Sequence, residues 1–309
     1  MVNHSTNVRP LTHAGTWYTD DFSALKKQLD GFMAGTQIVP GTRMIISPHA
    51  GYLYSGPTAG KCYGSLDFSH CKRVFVLGPS HHMYTRDCLV SSFDAYATHL
   101  GNLPIDREVC DFLLSSSKHV QLLSENADEA EHSLEMQIPI LAQALQNQNA
   151  LQHVSIVPIM VGALSHSHEQ AFGETLAPFV ANEENVFIIS SDFCHWGLRF
   201  GYTGYLNNDG KFEMLAASSH SPRAPKIFQS VHQLDRLVMS AIEEGDYNHF
   251  VRILSKTKNT VCGQHPIAVI LAALTKANID KRFRFIAYDQ SSQVVDIEDS
   301  SVSYAAGLA

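Results

Sequence analysis

Short, fully apolar runs that end abruptly in clusters of imidazole, carboxylate and thiol groups constrain this chain more than any other feature. Met44-Ile45-Ile46, Val74-Phe75-Val76-Leu77 and Val186-Phe187-Ile188-Ile189 show no polar alternation. They are therefore expected to be strands covered on both faces, as in a parallel sheet between layers of helices. Each leads into a polar cluster: Pro48-His49-Ala50-Gly51-Tyr52, Gly78-Pro79-Ser80-His81-His82 and Ser190-Ser191-Asp192-Phe193-Cys194-His195-Trp196. In an open α/β sheet, residues just past the carboxyl ends of parallel strands share a crevice, and ligands bind there. A fourth cluster, Cys262-Gly263-Gln264-His265-Pro266, opens a later helix and is expected in the same crevice, giving a metal or catalytic constellation.

The rest of the chain alternates as such a sheet requires. Helical spacing runs from Phe22 to Phe32 behind the capping carboxylates Asp20 and Asp21. The strand at Arg43 to Ser47 is followed by Pro57, placed in the first turn of a helix where its missing N–H costs nothing. Further strands are expected at Arg73 to Gly78, Cys88 to Ser91, Val154 to Val161 and Phe283 to Tyr288. Helices are expected from Ile105 to Ser115, Glu131 to Gln146, His168 to Val180, Ile227 to Ile242 and Ile267 to Ala277, with an acidic connector from Ser124 to Glu131. The pattern predicts an α/β fold with a predominantly parallel central sheet flanked by helices. No low-complexity linker interrupts it, so residues 1–309 read as one domain.

Composition excludes several classes of function. A formal net charge of −8 opposes binding to nucleic acid or anionic lipid, because both need a basic surface. No apolar stretch approaches the length of a membrane span, so no membrane insertion is expected. Met1-Val2-Asn3-His4-Ser5 lacks a secretory pattern and a glycine at position 2 for myristoylation. Six cysteines without C-x-x-C pairing fit reduced thiols, so the cytoplasm is the expected compartment and the nucleus the second. The 17 histidines exceed ordinary usage about twofold, which favours metal binding.

Each candidate side chain has a bland role beside the chemical one. His49 is a ligand or a turn histidine bonded to a carbonyl. Adjacent histidines rarely point the same way, so His81 is taken as the ligand and His82 as its solvent-facing neighbour. Asp192 and His195 make an oriented acid/base pair, give one ligand each, or merely cap a turn. Cys194 is assigned to the core. Cys262 starts a helix, where the macrodipole favours the thiolate. His265 either supports that helix start or is exposed, and His132, between Glu131 and Ser133, is a helix-start residue or a group behind the site. Trp17, Tyr52, Tyr54 and Trp196 are pocket walls or core aromatics. Walker, dinucleotide, serine-elbow and H-E-x-x-H signatures are absent from the sequence.

At these residues the chain resembles the Memo family, named as mediators of receptor-driven cell motility. The resemblance runs nearly end to end, through His13-Ala14-Gly15-Thr16-Trp17-Tyr18, Pro48-His49-Ala50-Gly51-Tyr52, Glu131-His132-Ser133-Leu134-Glu135-Met136, Ser191-Asp192-Phe193-Cys194-His195-Trp196-Gly197, Cys262-Gly263-Gln264-His265-Pro266 and Asp299-Ser300-Ser301-Val302-Ser303-Tyr304. It implies a fold shared with class III extradiol dioxygenases and a metal-type site at His49, His81 and Cys262. Asp192 and His195 stand beside that site as catalytic groups, and Trp17, Tyr54, His82 and His132 line or back the cleft. A thiolate in place of the dioxygenase carboxylate favours copper(I) or zinc and admits iron(II) on mixed nitrogen and sulfur ligands; copper or iron is the expected ion, with zinc as the alternative, and ring cleavage is placed in doubt.

Three functions follow from these expectations. The first is a redox metalloprotein that handles oxygen or superoxide in signalling and motility, with His195 moving protons. The second is a non-catalytic adaptor whose cleft takes a phosphotyrosine-type peptide from a receptor or adaptor partner; the sequence shows no arginine cluster of the usual phosphate-reading kind. The third is a zinc hydrolase built on His49, His81 and Asp192.

Overall fold

A computed structural model describes residues 6–222 and 224–309; the stretch Met1 to Ser5, read above for targeting signals, lies outside them. At the centre, the strands Met44–Ser47, Asn185–Ser190, Arg73–Pro79 and Ser155–Val161 lie side by side in that order, all parallel. All but a few of their side chains are buried, which is why they carry no polar alternation. Antiparallel additions extend the sheet on both sides. Cys88–Ser91 pairs antiparallel with Ser155–Val161, and Val120–Leu123 follows it in parallel. On the other flank Ser301–Leu308 lies antiparallel to Met44–Ser47, and Arg284–Gln290 and the short strand His195–Trp196 pair with it in turn. The sheet is therefore mixed, with a parallel centre.

Right-handed crossovers fix the layers. The helix Tyr52–Tyr63 carries the chain from Met44–Ser47 to Arg73–Pro79, and the helix His166–Ala181 returns it in the opposite direction from Ser155–Val161 to Asn185–Ser190. Opposite travel along the sheet with one handedness puts these two helices on opposite faces. The helix Gln264–Lys276 joins the second face, so close to His166–Ala181 that a methyl group at Gly173 would lie 2.7 Å from Ala272 Cβ. Between Met44–Ser47 and Arg73–Pro79 sits Asn185–Ser190, so the carboxyl ends of these three strands form the crevice at which the order changes direction.

Local chemistry accounts for most element ends. Asp21 starts Phe22–Met33 by accepting the N–H groups of Ser23 and Ala24, and Asp106 does the same for Val109. Two expectations need correction. Pro57 lies in the second turn of Tyr52–Tyr63 rather than the first, because burying Tyr52, Ser55, Ala59 and Tyr63 along one face outweighs the lost N–H. The single helix expected from Glu131 to Gln146 is two, His132–Glu135 and Ile138–Asn147, and the acidic connector before it is the short helix Glu125–Ala130. The break leaves Gln137 buried, its amide donating to Pro48 O at 3.0 Å and Ser190 Oγ at 2.8 Å.

A small side sheet of Val8–Arg9, Ala95–Thr98 and Gly101–Pro104 anchors the irregular N-terminal stretch. Its buried Arg9 bonds Asp128 Oδ1 at 2.8 Å and Glu135 Oε2 at 2.6 Å. Glu135 also accepts from the His13 backbone and ring and from the Tyr18 hydroxyl, which pins residues 13–18 over the crevice. Burial pushes the Glu135 carboxyl up, but the His13, Arg9 and Tyr18 contacts prevail and hold it down at about 2.

Candidate metal centre

Three loops leaving the parallel strands and one helix start converge as the sequence implies. His49 follows Met44–Ser47 and is 2% exposed. Its Nδ1 lies 2.8 Å from Ser190 Oγ at the end of the neighbouring strand. The Ser190 hydroxyl donates its one proton to Ser133 O at 2.7 Å, so it accepts from His49, and Nδ1 carries the ring proton. That leaves His49 Nε2 as a lone pair facing the crevice. His81 is set the same way from the next strand: Glu131 accepts the His81 backbone N–H at 2.6 Å and the ring Nδ1 at 2.9 Å. A partner on the far nitrogen that fixes tautomer and ring orientation is how metal-binding histidines are presented.

His132 is the third imidazole. Ligand nitrogens of His49, His81 and His132 all lie within 4.8 Å of one another. Its ring stacks on His81 at 4.4 Å between centroids and on Trp17 at 4.2 Å, and its buried Nδ1, 3.5 Å from Glu131 Oε1, makes no hydrogen bond among the described residues. Burial, then the neighbouring His49 and His81 rings, lower its pKa; burial and His81 likewise keep His49 neutral. Glu131 would be raised by burial, but the His81 contacts hold it ionised, well below the usual carboxylate range. Three imidazoles whose ligand nitrogens converge beside buried carboxylates form a set that suits a cation.

Cys262 comes to the same place from the loop before Gln264–Lys276. Its Sγ lies 3.2 Å from His49 Nε2 and accepts the Asp192 backbone N–H at 3.2 Å. The expected thiolate is not favoured by these surroundings. Although the residue keeps some exposed surface, its sulfur is enclosed, and burial followed by the Asp192 carboxylate pushes the thiol well up, outweighing the helix start. A bound cation would reverse that balance.

Asp192 is buried, and its Oδ1 accepts the His49 backbone N–H at 2.8 Å; burial raises its pKa. His195 takes its orientation from backbone carbonyls rather than from Asp192. Its Nδ1 points to Phe193 O at 2.9 Å and Thr260 O at 3.1 Å, so Nε2 carries the lone pair. His82 is exposed, with its ring centroid 5.9 Å from that of His132. Tyr54 is exposed and faces a recess of about 310 Å³ shared with Arg199, Phe200 and Tyr304, rather than the imidazoles. The Phe200 ring lies edge-on to His195 at 5.4 Å, so this recess adjoins the site. Cys194, Tyr52 and Trp196 are core residues. Ser190, Gln137 and Glu131, which hold the ligand rings, received no role of their own from the sequence; the one signal for them was their position beside the histidine clusters.

Comparison with known proteins places the chain in one family. A family model described as Memo-like protein matches residues 9–308. A MEMO1 family protein of Schizosaccharomyces pombe is 46% identical over 308 residues, covering 99% of this chain and all of that one. Protein MEMO1 of Danio rerio is 44% identical and that of Homo sapiens 41%, each across 97% of this chain and 96% of its own length. Among solved structures, an uncharacterized protein of Escherichia coli K12 aligns with a TM-score of 0.45 and 12% identity over 86% of this chain and 99% of that chain.

Proposed function

The chain belongs to the Memo family, and from that premise we propose that it is a redox metalloprotein of the cytoplasm whose crevice holds copper or iron, working in signalling and cell motility. One observation carries this. Ser190 and Glu131 engage Nδ1 of His49 and His81, which leaves Nε2 of each ring for a ligand, and the ligand nitrogens of these two rings and of His132 lie within 4.8 Å of one another. The orphaned, buried His132 Nδ1 and the Cys262 sulfur fit the same assignment, since each lacks a strong partner that a cation would replace.

His49, His81 and Cys262 would hold the ion, and His132 stands as the alternative third donor. Two imidazoles and a sulfur favour copper(I) and admit iron(II) or zinc. When bound, copper or iron supplies one-electron exchange with oxygen or superoxide. Asp192 keeps the His49 backbone in place and lends a buried negative charge beneath the ligands. His195, with Nδ1 tied to two carbonyls, is left to take and release a proton at Nε2. Trp17 covers the His132 face and limits water there.

A second role, docking of a phosphotyrosine-type peptide, is favoured by the recess beside His195, where Tyr54 and Arg199 face several serines. Metal analysis separates the two. Copper, iron and zinc are to be measured on protein purified under low oxygen, beside His49→Ala, His81→Ala, His132→Ala and Cys262→Ser. We expect about one copper or iron per chain, lost with His49 or His81 and weakened about 10- to 100-fold by Cys262→Ser. Loss with His132→Ala but not Cys262→Ser would make the site all-imidazole. Zinc alone would return the hydrolase, and absence of any specific metal would leave the peptide cleft.

A further inference from the structure

Proline sets two serines of this chain apart. Ser-Pro occurs twice and Thr-Pro nowhere: Ser47-Pro48 ends a central strand, and Ser221-Pro222 lies in the loop between the strand Phe212–Met214 and the helix Ile227–Glu244. Kinases that require proline after the acceptor serine exploit its missing N–H, which any other residue would leave unpaired against the enzyme. The two serines differ in reach. Ser47 is wholly buried. Ser221 and Pro222 keep part of their surface open, and no helix or strand holds residues 215–222, so this stretch can lie extended in a kinase cleft without undoing the sheet.

A phosphate at Ser221 has somewhere to act. The Ser221 hydroxyl oxygen accepts the Ile297 backbone N–H at 3.1 Å, which ties this loop to the connection 291–300 between the last two strands. Ile297 stands between Asp296 and Glu298, and the Asp299 carboxylate folds back to accept the Val295 and Asp296 N–H groups at 3.0 Å each. Three carboxylates therefore belong to the turn that meets Ser221. A phosphoserine brings nearly two further negative charges to that turn, and like charge beside Asp and Glu breaks a contact rather than making one. The turn supports an apolar cluster, because Val294 and Ile297 are buried against Cys194, Trp196 and Ile227. The same connection supplies Ser291, Ser292 and Ser300 to the recess beside His195.

We propose that Ser221 is the acceptor of a proline-directed protein kinase, and that its phosphate releases the connection 291–300 and loosens the wall of the recess beside His195. In the step, Ser221 Oγ bonds to the γ-phosphorus of magnesium ATP held by the kinase as the bond from that phosphorus to the bridging oxygen breaks. ADP leaves, and the hydroxyl proton passes to the kinase's carboxylate base. The site is independent of whether the crevice takes a metal.

The folded full chain is to be incubated with magnesium ATP and an active mitogen-activated protein kinase or an active cyclin-dependent kinase, each first checked on a Ser-Pro peptide. Peptide mass should find one phosphate, at Ser221, missing from Ser221→Ala and from Ser47. Hydrogen exchange over residues 293–299 should then run about tenfold faster in the phosphorylated chain than in the untreated one. It should also exceed that of Ser221→Ala, which loses the bond to Ile297 and gains no charge. No phosphate on Ser221 from either kinase, phosphate on Ser47 as readily, or exchange in the phosphorylated chain no faster than in Ser221→Ala would each overturn the proposal.

Discussion

Asp235 shows what a single buried carboxylate does here. It lies wholly inside, accepting from Asn259, the Cys194 backbone and the Tyr288 hydroxyl, yet burial outweighs those bonds and lifts its pKa from 3.8 to about 6. A carboxyl raised in the folded state stabilises below its unfolded value and loses that contribution as pH rises through the folded one. Stability should therefore fall between about pH 4 and pH 6 and stay lower above. Asp235→Asn can keep Oδ1 toward Asn259 and donate its amide to Tyr288, whose hydroxyl then turns to Ser303 Oγ at 3.1 Å. We expect this variant to flatten that slope and gain roughly 2 kcal/mol at neutral pH, as read from urea unfolding at several pH values. At this scale the sequence was most legible where a side chain follows a strand end: His49, His81 and Asp192 all lie where their clusters implied. It was least legible where an environment decides protonation. The helix start suggested a thiolate at Cys262, and only the fold shows the enclosed sulfur and the Asp192 carboxylate that oppose it.

Elements meet the crevice at distances too short for spare atoms. Gly263, which begins the helix Gln264–Lys276, sits where an added methyl would lie 2.4 Å from Ser191 Cβ and 2.6 Å from Ser190 O. Gly263→Ala should push the helix and Cys262 away from the strand ends, destabilising the chain by about 1–3 kcal/mol and weakening metal retention, measured by thermal unfolding and metal content together. The glycine was visible in the motif; its backbone contact to the neighbouring strand was not. The apolar runs of the central strands predicted their parallel setting directly, because burial on both faces leaves no room for alternation. Short edge strands such as Val120–Leu123 and Gly101–Pro104 have exposed positions and carried no such signal. The helix Tyr52–Tyr63 began a turn before its proline suggested, since packing of a whole face exceeds one absent hydrogen bond.

The whole molecule is a mixed sheet between helical layers with its chemistry at one rim. None of the described helices is long and apolar enough to cross a membrane. The parallel centre was legible because its crossovers repeat in sequence; of the closing flank only the strand expected at Phe283 to Tyr288 was, because antiparallel return strands place distant segments side by side. Ser301–Leu308, recognised only as a motif, lies between Met44–Ser47 and Arg284–Gln290 and also holds the strand bearing His195. A chain stopped before residue 301 should therefore fail to form a protease-resistant sheet, and gradual protection of the earlier strands in such a fragment would contradict this. The ordering has a consequence during synthesis. While the ribosome is still adding residues 291–300, Met44–Ser47 has a bare edge and the short strand His195–Trp196 has no partner. The nascent protein must wait, an apolar central strand open to chaperones, until the stretch that closes the sheet has emerged.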